Sequence, residues 1–353
     1  MHSKTEEICR LAIANKASDI HLQMGQIPKM RINGQLMNIT NSSPVEDQEI
    51  ILSLLNAEQR ERYALEKELD FSVTLDKNRF RANIFTQKGT PACALRVIVD
   101  QIPALDTLAL PPVLKTFTNL RQGFVLITGP TGHGKSTTVA SLLNEINIDK
   151  AVNIVTIEDP IEYIIKPIKS IVSQRELGSD TLSFDKALKS SLREDPNVVF
   201  VGEMRDLETI QLALTVAETG HLVFSTLHTN SAAQSIDRII DVFPENTKMQ
   251  IRLQLAEVLS AIVSQRLVPT TDGGRTVATE ILMASSATSN MIREGKSFMI
   301  DNIIQTGADQ GMVSLETSLA RLVKKGIVDE QLALSFALRP QEFQNSLRQL
   351  KNG

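Results

Sequence analysis

Gly129-Pro130-Thr131-Gly132-His133-Gly134-Lys135-Ser136, followed by Thr137, fits G-x-x-x-x-G-K-[ST], a spacing that serves phosphate. Glycines let successive backbone N–H groups turn toward one anion, and a helix starting directly afterwards adds partial positive charge. Lys135 is then placed to reach the β- and γ-phosphates, and Ser136 to hold Mg²⁺. Further chemistry-bearing residues follow apolar runs. Ala151–Ile157 ends in Glu158-Asp159-Pro160-Ile161-Glu162-Tyr163, where a carboxylate could polarise an attacking water, although acids after a strand are also common on surfaces. Val198–Val201 ends in Gly202-Glu203, an acid after a buried strand that could act on Mg²⁺ through water, with Gly202 where an Asp is usual. His221–Thr226 ends in Leu227-His228-Thr229-Asn230, which sets His228 at a third strand end as a phosphate sensor. On pattern alone His221, which opens that strand, is a packed or capping histidine.

These residues need a sheet to hold them. Gly123–Thr128 is apolar and β-prone, and Val139, Leu142, Leu143 and Ile146 recur on one helical face, so the loop has strand before it and helix after it. Acids at the carboxyl ends of strands in an α/β sheet stand where ligands bind. Arg205–Thr219 reads as a helix stopped by Gly220, and Ser231–Phe243 as a helix stopped by Pro244. Beyond about residue 248 the pattern is mostly helical: Met249–Val268, Ser286–Glu294, Ser314–Lys324 and Asp329–Leu338, interrupted by one strand, Arg275–Met283.

The first hundred residues read as a small α+β domain. Ser3 with Glu6 resembles a capping box ahead of a helix. Strand patterns follow at Asp19–Gln23, on either side of Asn33-Gly34, and at Asp70–Thr74, Phe80–Phe85 and Cys93–Ile98, with two polar helices at about 45–56 and 57–68. Arg79, Arg81 and Arg96 lie on these strands. Guanidinium groups suit the charge of a transferring phosphoryl, though solvated strand arginines are the ordinary alternative. A proline-marked stretch, 101–112, reads as a linker and hinge, dividing the chain into 1–100, the linker and 113–353.

Bulk properties narrow the class. The 353 residues carry a formal net charge of −4, with 42% hydrophobic and 22% charged positions, which gives no global attraction to nucleic acid or anionic lipid. No Trp and two Tyr leave few platforms for stacking bases. Cys9 and Cys93 form no CxxC pair, which excludes a zinc ribbon and suits a reducing cytoplasm. No apolar run approaches the roughly 18 residues of a spanning helix, and the N-terminus lacks the apolar core of a signal peptide.

With these blocks in place, the chain resembles the secretion ATPase superfamily of type II and type IV secretion systems, and within it the pilus retraction branch. The similarity spans nearly the whole chain: Ala17-Ser18-Asp19-Ile20-His21, Arg79-Phe80-Arg81, the P-loop, Ile157–Tyr163 as an Asp box, Leu192–Thr209 as a Walker B block, and Ala217–Phe224 with Thr226–Asn230 as a His box. The resemblance implies a RecA-like P-loop core with a helical C-terminal appendage, preceded by a PAS-like domain, assembled as a homo-hexamer. It implies ATP and Mg²⁺ as ligands, Glu162 as the carboxylate that orients water, and Glu203 as the acid acting on Mg²⁺. His221 and His228 become a pair sensing nucleotide state, and Arg81 and Arg96 are arginines offered to nucleotide held by a neighbouring subunit. It further implies a cytoplasmic motor at an inner-membrane platform protein of the pilus base, driving pilus retraction. The absence of a four-cysteine motif separates it from extension and secretion members.

Two positions depart from the family. His133 replaces a small residue, its side chain pointing to solvent or altering affinity. The block Ala287–Glu294 keeps only Asn290, Ile292 and Arg293 of its expected pattern, which leaves open an accessory motor acting beside a paralogous one. A nucleic-acid motor and a catalytically silent regulatory ring subunit are the rival readings.

Overall fold

The computed structural model describes the chain except positions 33, 41, 77, 99, 100 and 353, and the side chain of residue 352. It divides into two compact units, Met1–Gln101 and Ile102–Gly353. Asn33 of the expected Asn33-Gly34 turn lies outside the described residues.

The first unit is a six-stranded antiparallel sheet with helices. Its strands are β1 (Asp19–Gln23), β2 (Lys29–Ile32), β3 (Gln35–Asn38), β4 (Glu68–Leu75), β5 (Asn78–Gln87) and β6 (Thr90–Ile98), in the order β3-β2-β1-β6-β5-β4. One face is covered: Ile20, Leu22, Phe80, Ala82, Ile84, Cys93 and Leu95 share a core with Ile8, Cys9 and Ala12 of the helix Ser3–Ala14. That helix is capped by His2, whose Nδ1 accepts from the Lys4 N–H at 3.2 Å, so the expected Ser3–Glu6 box does not form. The chain enters the helix one residue earlier than the pattern suggested, leaving Ser3 inside the first turn. The reciprocal box forms instead between Asn56 and Gln59, at the start of Ala57–Glu66.

The second unit is built on seven strands: β7 (Gly123–Thr128), β8 (Asn153–Glu158), β9 (Ile171–Glu176), β10 (Val198–Val201), β11 (Leu222–Leu227), β12 (Leu259–Pro269) and β13 (Arg275–Met283). Their order is β13-β12-β7-β11-β10-β8-β9, all parallel except the β12–β13 pair. Every residue of β7, β10 and β11 is buried, as a sheet covered on both faces requires. The faces alternate residue by residue. Phe124 and Leu126 point into a core with Ile210, Leu214, Ile236 and Leu255. Val125 and Ile127 point into another with Val139, Leu142, Leu143 and Ile146 of the P-loop helix Lys135–Asp149.

Several segments differ from their sequence readings. The stretch 249–268 is not one helix: Glu245–Val258 is helical and Leu259 begins β12. Its apolar residues fall at helical spacings, but a short apolar run buried on both faces has the same pattern in a strand. The open edge of β7 decides the matter by supplying ladder partners from Phe124 to Thr128. Ile171–Glu176 (β9) and the last helix, Pro340–Asn352, were not anticipated. The proline-marked stretch packs on the second unit, with Leu105 buried and Ile102, Leu108 and Leu110 against the same core as the P-loop helix. Ser141 donates to the Pro103 carbonyl at 2.8 Å.

The C-terminal helices close a smaller core around Val268, Ala278, Leu319, Ala320 and Phe343. Fully buried Glu280 and Glu316 are joined there by Arg339, at 3.4 and 3.2 Å.

Candidate nucleotide site

Four neighbouring parallel strands, β7, β11, β10 and β8, end together and carry the P-loop, His228, Glu203 and the Glu158–Tyr163 segment to one edge of the sheet. This is where an open α/β sheet leaves a crevice. The P-loop turns on Gly129, Gly132 and Gly134, all with left-handed φ (140°, 79° and 82°). Gly129 has a second constraint: a Cβ there would collide with the Gln265 carbonyl oxygen of β12. Thr131 and Gly132 are exposed at the tip of the loop, while Ser136 and Thr137 are half-buried at the first turn of the helix.

Lys135 is 7% exposed and folds back under the loop, donating to the carbonyls of Gly129 (2.8 Å) and Pro130 (3.1 Å). Burial pushes its pKa down, and the charges of Glu203 and Glu162 oppose that shift. Its Nζ also lies 3.3 Å from His228 Nδ1, and Thr131 Oγ1 lies 3.2 Å from the same nitrogen. An ammonium only donates, so His228 Nδ1 is the acceptor and the ring proton sits on Nε2, facing Glu203 Oε1 at 3.2 Å. Glu203 continues the chain of contacts through Arg205 (3.0 Å) to Asp159 (3.5 Å). Burial opposes its ionisation, but the Arg205 hydrogen bond and charge, with His228, outweigh burial and hold the carboxyl below its usual range. Gly202 has a steric reason: a Cβ would lie 3.2 Å from the Ile157 carbonyl oxygen and 3.3 Å from Glu158 Cα, where β10 passes the end of β8.

Beside Lys135 a small cleft is lined by Ser136, Glu158, Glu162, Tyr163, Gln174 and Phe200. Glu162 is exposed there. Glu158 is buried and accepts from Thr156 Oγ1 (2.6 Å) and Gln174 Nε2 (3.1 Å). Burial pushes its carboxyl up to about 7 despite those bonds. Gln174 also holds the Tyr163 carbonyl at 2.9 Å, and the Tyr163 hydroxyl meets Thr137 Oγ1 at 2.9 Å. The segment that carries Glu162 is thus tied both to β9 and to the P-loop helix.

The loop's other flank rests on β12. Gln265, 2% exposed, donates from Nε2 to the His133 carbonyl at 2.8 Å and accepts from Thr138 Oγ1 at 3.0 Å. His133 does not point away into solvent: its Nδ1 accepts the Leu267 backbone N–H at 3.0 Å. The side chain of the small residue expected at this position could not reach the Leu267 N–H.

Of the residues singled out by sequence, the second unit brings together Gly129 to Thr137, Glu162, Glu203 and His228. His221 is at the other end of β11, about 20 Å away at strand rise, its Nδ1 3.0 Å from the Val216 carbonyl and 3.1 Å from Thr219 Oγ1. There it caps the C-terminus of the helix Leu207–Glu218. Arg81 and Arg96 belong to the first unit, opposite each other on β5 and β6. Arg81 is exposed, and Arg96 donates to Asp19 Oδ1 at 2.9 Å. Sequence reasoning passed over Arg205, Tyr163, Gln174 and Gln265. Arg205 and Tyr163 adjoin residues it had marked, whereas Gln174 and Gln265 sit on strands it had not read.

The donors fit a phosphate chain with a hard cation. The loop offers backbone N–H groups and a lysine, while Ser136 and Glu203 offer oxygen, the element Mg²⁺ prefers. Among the described residues no group of three or more His, Cys, Asp or Glu could hold a metal ion, so phosphate oxygens and water would complete the shell.

Comparison with known proteins places this geometry. The chain matches the Type II/IV secretion system protein family over residues 2–332. It is 43% identical to the type IV pilus retraction ATPase PilT of Pseudomonas aeruginosa over 341 residues, 96% of this chain and 99% of that one. It is 46% identical over 310 residues to a twitching motility protein of Neisseria gonorrhoeae, covering 87% of this chain and 83% of the relative. A crystal structure of the pilus retraction motor PilT with bound ADP superposes with a TM-score of 0.90 at 43% identity, covering 96% of this chain and 98% of that one.

Proposed function

The chain belongs to the Type II/IV secretion system protein family, and we propose that it is an ATP-hydrolysing motor that drives type IV pilus retraction. The observation that carries this is the single sheet edge where the P-loop, Glu203, His228 and the exposed Glu162 meet. The full-length likeness to a retraction ATPase, and to a retraction motor that binds ADP, supports the cargo.

In this reading ATP is the substrate and its phosphates lie along the P-loop. Lys135 exchanges the Gly129 and Pro130 carbonyls for phosphate oxygens. Ser136 and, through water, Glu203 would hold Mg²⁺, which would supply charge neutralisation. Glu162 orients a water toward the γ-phosphorus; the water oxygen forms the new P–O bond as the bond to the β-phosphate oxygen breaks, and ADP leaves with that electron pair while the water protons remain with the released phosphate. His228, between Lys135 and Glu203, touches both phosphate-binding and acidic groups and so senses which nucleotide is present. Catalysis is then mostly positioning and charge stabilisation. Arg81 and Arg96 complete the site from an adjacent subunit of a homo-hexamer, and His228 senses without His221, which caps a helix at the far end of β11. The ring works in the cytoplasm against an inner-membrane platform protein. Among the described residues no helix is long and apolar enough to cross a membrane.

A second reading is kept because of one observation. The Ala287–Glu294 block departs from the retraction pattern, and here it forms the helix Ser286–Arg293, in which Ser289 donates to the Ala256 carbonyl at 2.8 Å. The alternative that this departure keeps open is an accessory motor paired with a paralogous one. Steady-state ATPase activity of the purified protein beside Glu203→Gln, with mass determination in nucleotide, tests the proposal. A hexamer whose activity vanishes in the variant supports a motor; an inactive wild-type hexamer overturns it in favour of the regulatory subunit.

A further inference from the structure

β12 reaches beyond the end of β7. The ladder between them runs to Ser264 and Thr128, and there the P-loop leaves the sheet. The next residues of β12 remain beside the loop. Gln265 holds the His133 carbonyl and the Thr138 hydroxyl with the two ends of one amide, and the Leu267 N–H meets His133 Nδ1. The same strand blocks any side chain at Gly129 and lies 3.3 Å from where a Cβ on Gly134 would be. From that geometry we infer that His133 and Gln265 are positioning residues that lock the phosphate loop onto β12 in its binding conformation.

The lock has a chemical condition. A backbone N–H can only donate, so His133 Nδ1 must carry a lone pair, and a doubly protonated ring cannot accept. The charged groups around this ring are Arg266 on β12, Arg275 on β13 and Lys135 on the P-loop helix. All three are cationic and, after burial, they disfavour a charged His133. The lock is therefore closed near neutral pH and opens on acidification. Its far side also bears on the C-terminal helices, since Val268 of the same strand lies in the core with Leu319, Ala320 and Phe343.

This inference rests on the nucleotide-site reading, and the test separates the two. The probe is a fluorescent ADP analogue, titrated into the full-length chain from about pH 7.5 down to about pH 4.5, well below the ordinary histidine range because burial and the three cations hold His133 down. Wild type, Lys135→Ala, His133→Leu, His133→Asn and Gln265→Leu are compared, each checked by thermal unfolding. Wild type without measurable binding, or equal binding by Lys135→Ala, overturns the site reading itself. Given wild-type binding, His133→Leu and Gln265→Leu should each weaken affinity about five-fold or more, the effect of leaving a buried hydrogen-bonding group unpaired. Asn places an oxygen acceptor near the Nδ1 position without titrating, so His133→Asn should recover a good part of the affinity that His133→Leu loses. It should also lose less affinity than wild type on acidification. Binding by both leucine variants within about two-fold of wild type, below the effect of one hydrogen bond, overturns the inference while the site stands. If the leucine variants do not fold, identical pH profiles for wild type and His133→Asn overturn it instead.

Discussion

Lys135 holds its ammonium within 2.8 Å of the Gly129 carbonyl and 3.3 Å of His228, so the loop's own backbone keeps the charge in place before phosphate arrives. Replacing it with alanine removes the group proposed to meet the β- and γ-phosphates. Lys135→Ala should lower ATP turnover by about 100-fold or more, as loss of one preorganised charged donor does, and equilibrium nucleotide binding should fall with it. Glu203→Gln retains shape but not charge. Turnover should fall by a similar factor of about 100, with a loss of about 1 kcal/mol in unfolding, because the single amide oxygen can accept from only one of Arg205 and His228. Glu158 has a different signature. Its carboxyl titrates near 7 when folded against an ordinary 4.5, so the folded state keeps a proton that the unfolded state releases. Between pH 4.5 and about 7 stability therefore falls as pH rises, by at most a few kcal/mol from this group. Glu158→Gln keeps an acceptor for Thr156 and Gln174 and cannot ionise. Its unfolding free energy should gain on wild type across that window. Glu280, also raised to about 7 by burial, titrates in both proteins and cancels in the difference. A pH-independent difference would contradict the assignment.

At the scale of elements, the site depends on how closely β10 passes β8. Gly202 is the point of contact, and its neighbours there are backbone atoms that cannot rotate away. Gly202→Ala must separate the strands by a few tenths of an ångström or tilt the Glu203 that follows. A cost of about 1–3 kcal/mol is expected in urea unfolding, as for overpacking elsewhere, together with reduced turnover. A variant of wild-type stability and activity would show that the strand end yields freely. β12 has the corresponding role on the other flank. It is the strand against which Gly129 must remain a glycine, and it carries the amide that spans His133 and Thr138.

At the scale of the whole molecule, the proposed reaction draws on both units. The second unit has the phosphate loop, the acids and His228, and the first has Arg81 and Arg96 facing each other across two strands. If a neighbouring subunit supplies those arginines, Arg81→Ala should leave nucleotide affinity near that of wild type while turnover falls by about ten-fold or more, within the range expected for an arginine that stabilises the transition state in trans. Lost binding in a folded variant would argue against that role. Sedimentation or mass photometry with nucleotide should find six subunits. An active monomer would place the whole reaction in one chain and remove the need for a trans arginine. A net charge of −4 makes stimulation by DNA an unexpected result, and its appearance would favour a nucleic-acid motor.

The sequence by itself determined the phosphate loop and the strand ends around it, because local rules govern both. A loop whose glycines take left-handed φ needs those glycines at that spacing, and a fully buried parallel strand must be a short apolar run before its acid. From these came Lys135, Ser136, Glu203, His228 and the acidic segment 158–163, within which only the family resemblance singled out Glu162. Local rules could not separate Leu259–Pro269 from the helix before it, since the same apolar residues suit a buried strand and a helix face equally. Only the vacant edge of β7 settled it, and that edge lies some 130 residues earlier in the chain. Gln265, Gln174 and the anchoring of His133 went unseen for the same reason. Each acts through a partner distant in sequence, and such pairings exist only once the sheet order is set. The tertiary structure also put His221 and His228 at opposite ends of one strand, where the family resemblance had made them a pair and the residue pattern alone had read His221 as a packed or capping histidine.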